Sequence, residues 1–432
     1  MADRPGAEPI SARRVALDVL DLVLGEQRPL DDVFGGHPRL GSLAGRDRAY
    51  ARLLVATTLR RLGQIDAVLD RFLRQAPKSI QVRNLLRLGA AQLLFLHTPA
   101  HAAVAETVAL ASGRLAFARG LTNAVLRRVA REGKELLAGQ DVARLNTPDW
   151  LWQSWSTAYG EAVARAVAEA HLAEPPLDLS VKSDPPAWAA RLGGEHLYAN
   201  TVRRPAGGAI EDLPGYDAGA WWVQDAAAAL PARLLGEIHG RTAIDLCAAP
   251  GGKTAQLAAA GAEVIAVELS DRRAARLQSN LARLQLEARI EVADALAWRP
   301  DRPAGHVLLD APCTATGTIR RHPDIAWHKT SADVARMAEL QARLLEAAVD
   351  MLEPGGVLVY ASCSLQPEEG FEMIEQALTS GLPVARLPVQ ADELDGLPVD
   401  LTEAGDVRTL PCHLVGRGGL DGFFIARLRR HG

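Results

Sequence analysis

Apolar positions in the first third of the chain recur at helical spacing. Ser11 precedes "ARRVALDVLDLVL", in which apolar residues return every three or four positions, so we predict that Ser11 caps a helix. Further amphipathic runs cover about 46–73, 79–96, 101–112 and 116–131. Short breaks such as "RQAPKS" and "HTPAH" separate these runs, which is typical of a compact helical bundle.

The pattern is less regular from about 145 to 225. A helix is predicted after Pro148, and proline and glycine then punctuate a mixed segment that ends in "LPGYDAGAWWVQD". We interpret this part as a small connecting domain. It holds four tryptophans, for which packing is a better explanation than base stacking: Trp150, Trp152, Trp155 and Trp188.

After residue 226 short apolar runs alternate with helical stretches. The runs "TAIDL", "EVIAVE", "HVLLDA" and "GVLVYAS" alternate with helices predicted near 254–260, 271–285, 333–352 and 368–379. This alternation predicts a parallel sheet with helices on both faces. Such sheets bind ligands beyond the carboxyl ends of their strands.

Composition and cysteine usage indicate a soluble cytoplasmic protein. The 432 residues are 48% hydrophobic and 23% charged, and the length suggests two or three domains. No apolar stretch approaches the length of a membrane span, and "MADRPGAEPISARR" lacks the apolar core of a signal peptide. The four cysteines form no CxxC pair, which favours reduced thiols and no metal site.

Charge is unevenly distributed, although the net charge is only −4. Residues 1–150 hold 22 Lys and Arg against 15 Asp and Glu, and the stretch 71–131 holds ten basic residues and one acid, Glu106. Such asymmetry is a hint of nucleic-acid binding. Ordinary solvated helix faces explain the charges equally well, so charge alone leaves both readings open.

The first strand-to-helix turn, "AIDLCAAPGGKTAQLA", has the features of a cofactor loop. Gly251 and Gly252 allow close backbone approach, and the following helix offers free amide groups. The triphosphate-binding loop needs a glycine where this chain has Cys247, so we do not expect a triphosphate. Together with Glu268 and Asp294, which follow the next two strands, the loop predicts an adenosine-type cofactor.

Two cysteines stand at strand ends. Cys313 lies in "DAPCTATGTIRRHPD" and Cys363 in "LVYASCSLQPEE", so both are predicted to reach one ligand at the carboxyl edge of the sheet. Cys247 and Cys412 are better explained as small buried side chains.

These motifs resemble those of the RsmB/Sun (Fmu) family of RNA 5-methylcytosine methyltransferases. The likeness is carried by "DLCAAPGGKT", "DAPCTATGTIRRHPDI" and "YASCSLQPEE", and "RRVALDVLDLVL", "RAYARLLVATTLRR" and "LTNAVLRRV" resemble the NusB-like RNA-binding domain. The resemblance extends to "DGFFIARL". It implies a multidomain fold: an all-α NusB-like helical bundle over 8–140, a connecting domain over 145–225 and an α/β Rossmann-like methyltransferase domain over 226–432.

The resemblance also implies S-adenosylmethionine as methyl donor, 16S ribosomal RNA as substrate and a set of cofactor-binding residues. A monomer is expected. The methionine side is assigned to the loop of Cys247, Ala248, Ala249, Pro250, Gly251, Gly252 and Lys253. Glu268 is assigned to the ribose, Asp294 to the adenine and Asp310 to the junction with the target base. Two departures stand out: the family commonly has Asp at the position of Glu268, and "DLSVKSDPP" replaces an arginine–asparagine pair, which leaves RNA contacts there in doubt.

Cytosine methylation explains why one site would hold two thiols. Carbon 5 is a poor nucleophile, and a thiolate that adds to carbon 6 activates it. Asp310 is a candidate donor to N3 if its pKa is raised. DNA cytosine methyltransferases use a Pro-Cys nucleophile, which points to Cys313, whereas the RNA family uses the later cysteine. We therefore predict Cys363 as the nucleophile and Cys313 as the residue that assists release.

The loop after Cys313 is predicted to contact RNA phosphates through Arg320, Arg321, His322 and Lys329. Two other functions remain open at this point. One is a non-catalytic RNA-binding protein that only retains the cofactor, against which the intact Cys363, Cys313 and Asp310 count. The other is an enzyme that acts on DNA or a small molecule, against which the basic helical part counts.

Overall fold

The computed structural model describes residues 11–432, which form two compact units. The helical unit comprises the described residues up to Gln153 together with Ala164–Leu172 and His322–Lys329. The sheet unit comprises Ser154–Val163, Ala173–Arg321 and Thr330–Gly432. The predictions for residues 1–10, namely the start of the helical domain at residue 8 and the absence of a signal-peptide core, lie outside the described residues. The division into three domains stays a prediction.

The helical unit is built from consecutive helices, as the apolar spacing predicts. They are α1 Ala12–Gly25, α2 Leu30–Gly35, α3 Gly45–Arg60, α4 Leu62–Asp70, α5 Ile80–Leu94, α6 Ala100–Leu110, α7 Arg119–Ala138 and α8 Val142–Leu145. Two further helices, α9 Asp149–Tyr159 and α10 Glu161–Ala170, contribute residues to both units. No helix in 11–432 combines the length and apolar character needed to cross a bilayer.

Helix capping and burial explain where α1 begins and which helix lies at the centre of the bundle. The Ser11 hydroxyl accepts a hydrogen bond from the backbone N–H of Arg14, which confirms the predicted cap of α1. Helix α5 is buried on almost every side, with Leu85 and Leu88 fully inaccessible to solvent. A helix that is buried on nearly all sides lies at the centre of a bundle, so the other helices pack around α5.

A segment from far along the chain completes the helical unit. Residues 322–329 contain the short helix α15 (Ile325–His328). The indole Nε1 of Trp327 donates to the carbonyl oxygen of Leu59 over 2.8 Å. The carboxylate of Asp324 accepts from the backbone N–H of Leu30 over 2.9 Å. Sequence spacing does not predict this placement, because the placement depends on contacts between residues that are nearly three hundred positions apart in the chain.

A small antiparallel sheet begins the sheet unit. Its strands, β1 Leu177–Val181, β2 Glu195–Tyr198, β3 Thr201–Arg204 and β4 Trp221–Val223, are arranged in the order β2-β3-β1-β4. Helix α11 (Pro185–Leu192) packs on it, and Leu179, Val202 and Trp221 form the core.

The large sheet has nine strands with helices between them. The strands are β5 Thr242–Leu246, β6 Glu263–Glu268, β7 Arg289–Val292, β8 Ala304–Asp310, β9 Leu352–Ser362, β10 Val384–Arg386, β11 Asp400–Leu401, β12 Val407–Thr409 and β13 Phe423–Arg430. Besides α11, the sheet unit contains the helices α12 Leu230–Arg233, α13 Gly252–Ala259, α14 Asp271–Leu284, α16 Ser331–Asp350 and α17 Phe371–Thr379. The strand order is β11-β12-β13-β9-β8-β5-β6-β7, and β10 pairs with β13.

The prediction of a parallel sheet is right for five strands and wrong for the rest. Strands β5 to β9 pair in parallel, whereas β10 to β13 pair antiparallel and β13 runs antiparallel to β9. Residues 380–422 contain no helix-length amphipathic run, so no crossover helix can return the chain for parallel pairing. The result is a mixed sheet.

Packing accounts for Trp155 and Trp188 of the connecting segment. Trp155 is fully buried, and its Nε1 donates to Oε1 of Gln366 over 2.9 Å. The Trp188 ring lies 5.0 Å from the guanidinium carbon of Arg191. Both contacts favour structural roles for these two indoles.

Candidate active site

Three neighbouring strands end side by side at the carboxyl edge of the large sheet. Strand β8 pairs with β5 on one side and β9 on the other, with Leu309 opposite Leu246 and Asp310 opposite Ala361. The loops that leave these strands carry the motif residues. The pattern of strand ends therefore places the predicted catalytic and cofactor residues at one edge.

The two thiols predicted from the motifs are in contact. The Sγ atoms of Cys313 and Cys363 lie 3.3 Å apart, and both residues are partly buried. The hydrogen bond with Cys313, burial and the charge of Asp310 hold the pKa of Cys363 well above its usual value. The Lys253 ammonium opposes this rise. Cys363 therefore rests as a protonated thiol beside a cation.

Lys253 forms an ion pair beside the thiols. Its Nζ lies 2.8 Å from Oδ2 of Asp310, and the Phe423 ring centroid is 5.3 Å from the same nitrogen. Burial lowers the pKa of Lys253, but the Asp310 carboxylate outweighs that effect and the net shift is upward. Lys253 therefore stays protonated. The sequence places Lys253 in the cofactor loop but does not predict this pairing.

The loop after β5 is a close-fitting turn. Cys247 has a φ of 61°, and Gly251, with a φ of 102°, precedes helix α13. A Cβ at Gly251 would lie 2.3 Å from Cδ1 of Leu277, so glycine is required on steric as well as conformational grounds. No side chain caps α13, and its first amides are open to an acidic group of a ligand.

Asp245 lies beneath this loop. It is fully buried; Oδ2 accepts from the Thr254 hydroxyl over 2.6 Å, while Oδ1 has no hydrogen-bond partner in the described chain. Burial raises its pKa to about 7, the Thr254 hydrogen bond opposes this and the charge of Asp310 adds to it. An unpaired buried carboxylate oxygen fits a site that receives a polar ligand.

Glu268 orients the same loop. It is 2% exposed and accepts hydrogen bonds from the backbone N–H groups of Ala249, over 3.2 Å, and Ser270, over 3.0 Å. Each carboxylate oxygen thus retains acceptor capacity, as a ribose diol needs. Asp294 is exposed at the end of the neighbouring strand, and its Oδ1 accepts from the backbone N–H of Leu296.

Ion pairs hold two of the arginines that were predicted to contact RNA. Arg320 is 1% exposed, and its Nη2 lies 3.0 Å from the Asp421 carboxylate. Arg321 pairs with Asp225 over 2.6 Å and with Asp421 over 2.9 Å. A phosphate contact would first have to break these ion pairs, which favours a structural role for both arginines, and their RNA contacts stay predictions.

His322 and Lys329 belong to the helical unit. Nδ1 of His322 lies 3.0 Å from Oδ2 of Asp31, and Lys329 is partly buried. Their RNA contacts stay predictions. Over residues 11–432 no group of three or more His, Cys, Asp or Glu side chains is arranged to hold a metal ion.

Sequence reasoning missed a buried acid behind the thiols. Glu369 is fully buried and accepts hydrogen bonds from Thr314, Ser364 and Gln341. Its signal in the sequence is only its place in "QPEE", where an acid would ordinarily be exposed.

Comparison with known proteins identifies the family. Residues 232–429 match the 16S rRNA methyltransferase RsmB/F family, and residues 10–131 match the NusB family. The ribosomal RNA small subunit methyltransferase B of Cronobacter sakazakii is 36% identical over 441 residues, covering 97% of this chain and 98% of that protein. The chain belongs to the RsmB/F methyltransferase family.

Further comparisons agree with this assignment. The ribosomal RNA small subunit methyltransferase B of Pseudomonas putida is 38% identical over 413 residues, covering 90% of this chain and 92% of that protein. A crystal structure titled PH0851 has a TM-score of 0.76 at 22% identity, covering 98% of this chain and 100% of that one, which supports the fold. As an RsmB/F-family member the chain is a methyltransferase, and the predicted family and fold class are confirmed.

Proposed function

We propose that this RsmB/F-family enzyme methylates carbon 5 of a cytosine in 16S ribosomal RNA, with Cys363 as the nucleophile. One observation carries the proposal: two thiols 3.3 Å apart at the ends of neighbouring strands, beside a Lys253–Asp310 ion pair. A methyltransferase that acts on oxygen or nitrogen atoms has no need of such a pair. The names of the curated relatives supply the substrate class.

Cys363 makes and breaks one covalent bond in this scheme. Its thiol first loses its proton to water. The thiolate then adds to carbon 6 of the base, and the electron pair of the 5,6 double bond becomes available at carbon 5. After methylation the carbon 5 proton leaves, the double bond re-forms and the carbon–sulfur bond breaks. Because Cys363 is bonded to the base during this step, the proton needs another acceptor. Cys313, in contact with Cys363, is placed to accept this proton as a thiolate and to pass it on to water.

The charges around the thiols support both stages. Lys253 opposes the rise in the pKa of Cys363 and so favours the thiolate. Negative charge that reaches N3 of the ring during addition needs a proton or a strong hydrogen bond, which was predicted from Asp310. Asp310 is paired with the Lys253 ammonium, and the raised pKa of Lys253 keeps the proton on the lysine, so the donor that this pair can present to the ring is Lys253.

S-adenosylmethionine, when bound, supplies the methyl group. The loop 247–253 and the first amides of α13 would hold its methionine end, Glu268 its ribose and Asp294 its adenine. The residues fit this ligand, because Glu268 retains acceptor capacity and the Asp245 carboxylate has an unpaired oxygen beneath the loop. The helical unit, which matches the NusB family, is proposed to bind RNA, and the enzyme to act as a cytoplasmic monomer.

The test is transfer of labelled methyl groups to ribosomal RNA, followed by bisulfite sequencing of RNA from cells with and without the protein. We expect label in small-subunit RNA and one cytosine that loses its protection when the protein is absent. Label on another atom or another base would overturn the cytosine assignment, and absence of label would favour a non-catalytic RNA-binding protein.

A further inference from the structure

We propose that Glu369 is the positioning residue that sets the separation of the two thiols. It lies in the turn Pro367–Glu369 that follows β9, and it is fully buried. Its catalytic consequence rests on the proposed function, whereas its effect on thiol geometry is independent of any substrate.

A single carboxylate contacts the chain one residue beyond each cysteine. Thr314 follows Cys313, and its backbone N–H donates to Oε1 of Glu369 over 2.8 Å. Its hydroxyl donates to Oε2. Ser364 follows Cys363, and its hydroxyl donates to the same Oε2 over 2.5 Å. The loops that carry the thiols are thus tied to one anchor.

Gln341 holds the other side of Cys313. Its Nε2 donates to Oε1 of Glu369 over 3.0 Å and to the carbonyl oxygen of Pro312 over 2.8 Å. The Tyr360 hydroxyl lies 2.9 Å from the carbonyl oxygen of Glu369 and 3.1 Å from Oε1 of Gln341. Cys313 is therefore fixed through the residues before and after it.

The chemistry of these contacts requires an acceptor at residue 369. The Thr314 N–H and the Gln341 amide nitrogen can only donate, and the two hydroxyls donate here as well. A carboxylate accepts all four bonds. Glu369→Gln keeps the size of the side chain, and its amide oxygen can still accept from Thr314 N–H and Gln341. Its amide nitrogen then faces the two hydroxyls, so neutral hydrogen bonds replace charge-assisted ones and both loops are held less tightly.

The experiment measures oxidative cross-linking of Cys313 to Cys363. The cofactor-free protein is treated with the dithiol oxidant diamide, free thiols are blocked, and the disulfide-linked peptide is quantified by mass spectrometry over time. Diamide takes up the two hydrogens that the thiols lose. The rate reports thiol separation without RNA or methyl transfer, so this test can fail while the proposed function stands, and the reverse.

We expect Glu369→Gln to slow cross-linking about tenfold, which corresponds to the loss of one charge-assisted hydrogen bond. Asp178→Asn is the matched control, because it alters another fully buried carboxylate, paired with Arg203 in the small sheet. It should lower thermal stability and leave the cross-linking rate unchanged. Equal rates in wild type and Glu369→Gln, or equal slowing by Asp178→Asn, would overturn the proposal.

Two milder variants keep the test valid if Glu369→Gln does not fold. Thr314→Val and Ser364→Ala each remove one hydroxyl donor and leave the carboxylate in place. Each should slow cross-linking by a smaller factor than Glu369→Gln, and wild-type rates in both would also overturn the proposal.

In methylation assays Glu369→Gln should lower kcat and leave KM unchanged. It should also accumulate a covalent protein–RNA adduct, because elimination needs Cys313 close to Cys363. A raised KM with unchanged kcat would count against a positioning role.

Discussion

At the scale of single residues, the site combines groups whose charges oppose one another. Burial and neighbouring negative charge keep Cys363 protonated, while Lys253 favours its thiolate. Asp245, beneath the cofactor loop, is a carboxyl group that burial keeps neutral at acidic pH. These residues make the stability and the ligand affinity of the site dependent on pH and on single charges.

Asp245→Asn should stabilise the sheet unit relative to wild type as the pH rises. Burial raises the pKa of Asp245 to about 7 from an ordinary value of 3.8. As the pH rises toward 7, the unfolded state loses this proton before the folded state does. The free energy of unfolding of the wild type therefore falls over this range. Asparagine resembles the neutral form at every pH. Between pH 5 and pH 8 the variant should gain on the order of 2 kcal/mol over wild type.

The measurement is urea unfolding of the cofactor-free protein at both pH values. Asn retains a carbonyl oxygen for the Thr254 hydroxyl, so packing is little changed. A difference between variant and wild type that is the same at pH 5 and pH 8 would show that Asp245 does not titrate in this range.

Glu268→Ala should weaken cofactor binding at least tenfold. The variant loses the proposed hydrogen bonds to the ribose, at roughly 1.5–3 kcal/mol each, and the contact that orients the Ala249 amide. Titration calorimetry with S-adenosylmethionine measures the change, and Glu291→Ala, on the adjacent strand β7, is the control. Unchanged affinity in Glu268→Ala would remove this residue from the site.

The sequence was sufficient to predict which strand ends carry the chemistry, but not the pairings among their side chains. Cys313, Cys363 and Asp310 follow apolar runs, so the geometry of a parallel sheet brings them together. The pairing of Lys253 with Asp310 and the burial of Glu369 depend on side-chain directions and long-range packing. The same is true of Arg320, which looks like an exposed loop cation in the sequence and is buried in an ion-pair network.

At the scale of elements, local pattern and chain connectivity decide what can be predicted. The helices of the N-terminal part and the five parallel strands follow the periods of their apolar residues. The antiparallel strands β10 to β12 have only two or three residues each, too few for a periodic signal. The sequence predicts a loop after Cys313 that contacts RNA phosphates, and within it Trp327 packs against the core of the helical unit.

Trp327→Ala should lower the stability of the helical unit by on the order of 3 kcal/mol. The change removes a large ring from that core and the hydrogen bond to Leu59. Trp327→Phe keeps most of the packing and should cost only about 1 kcal/mol. Thermal unfolding followed by circular dichroism measures both. Equal melting temperatures for wild type and Trp327→Ala would show that the segment does not contribute to the unit.

At the scale of the whole molecule, the helical unit accounts for the uneven charge. Some of its arginines are paired internally: Arg83 and Arg87 both contact Asp66. Along α7, in contrast, Arg119, Arg127 and Arg131 are exposed, at spacings of eight and four residues. These α7 arginines are among the exposed cations of the basic stretch that could meet RNA phosphates.

Replacing Arg119, Arg127 and Arg131 by glutamine should weaken RNA binding and flatten its salt dependence. Each phosphate contact that is lost lowers the slope of log affinity against log salt by about 0.7–0.9, so three contacts should lower it by about 2 to 3. The control replaces three exposed arginines of the large sheet, at the edge opposite the carboxyl ends of its parallel strands: Arg241, Arg302 and Arg429. Filter binding of ribosomal RNA across salt concentrations measures both. An unchanged slope would make these α7 arginines ordinary solvated side chains.

The central claim is that the two thiols have different tasks, and adduct formation tests it most directly. Cys313→Ala and Cys363→Ala are incubated with ribosomal RNA and S-adenosylmethionine and then run on denaturing gels. Without Cys363 no bond to carbon 6 can form, so we expect neither methylation nor a covalent complex. Without Cys313 addition proceeds and elimination stalls, so a stable protein–RNA adduct should accumulate with little turnover. An adduct in Cys363→Ala, and none in Cys313→Ala, would contradict the account and make Cys313 the nucleophile.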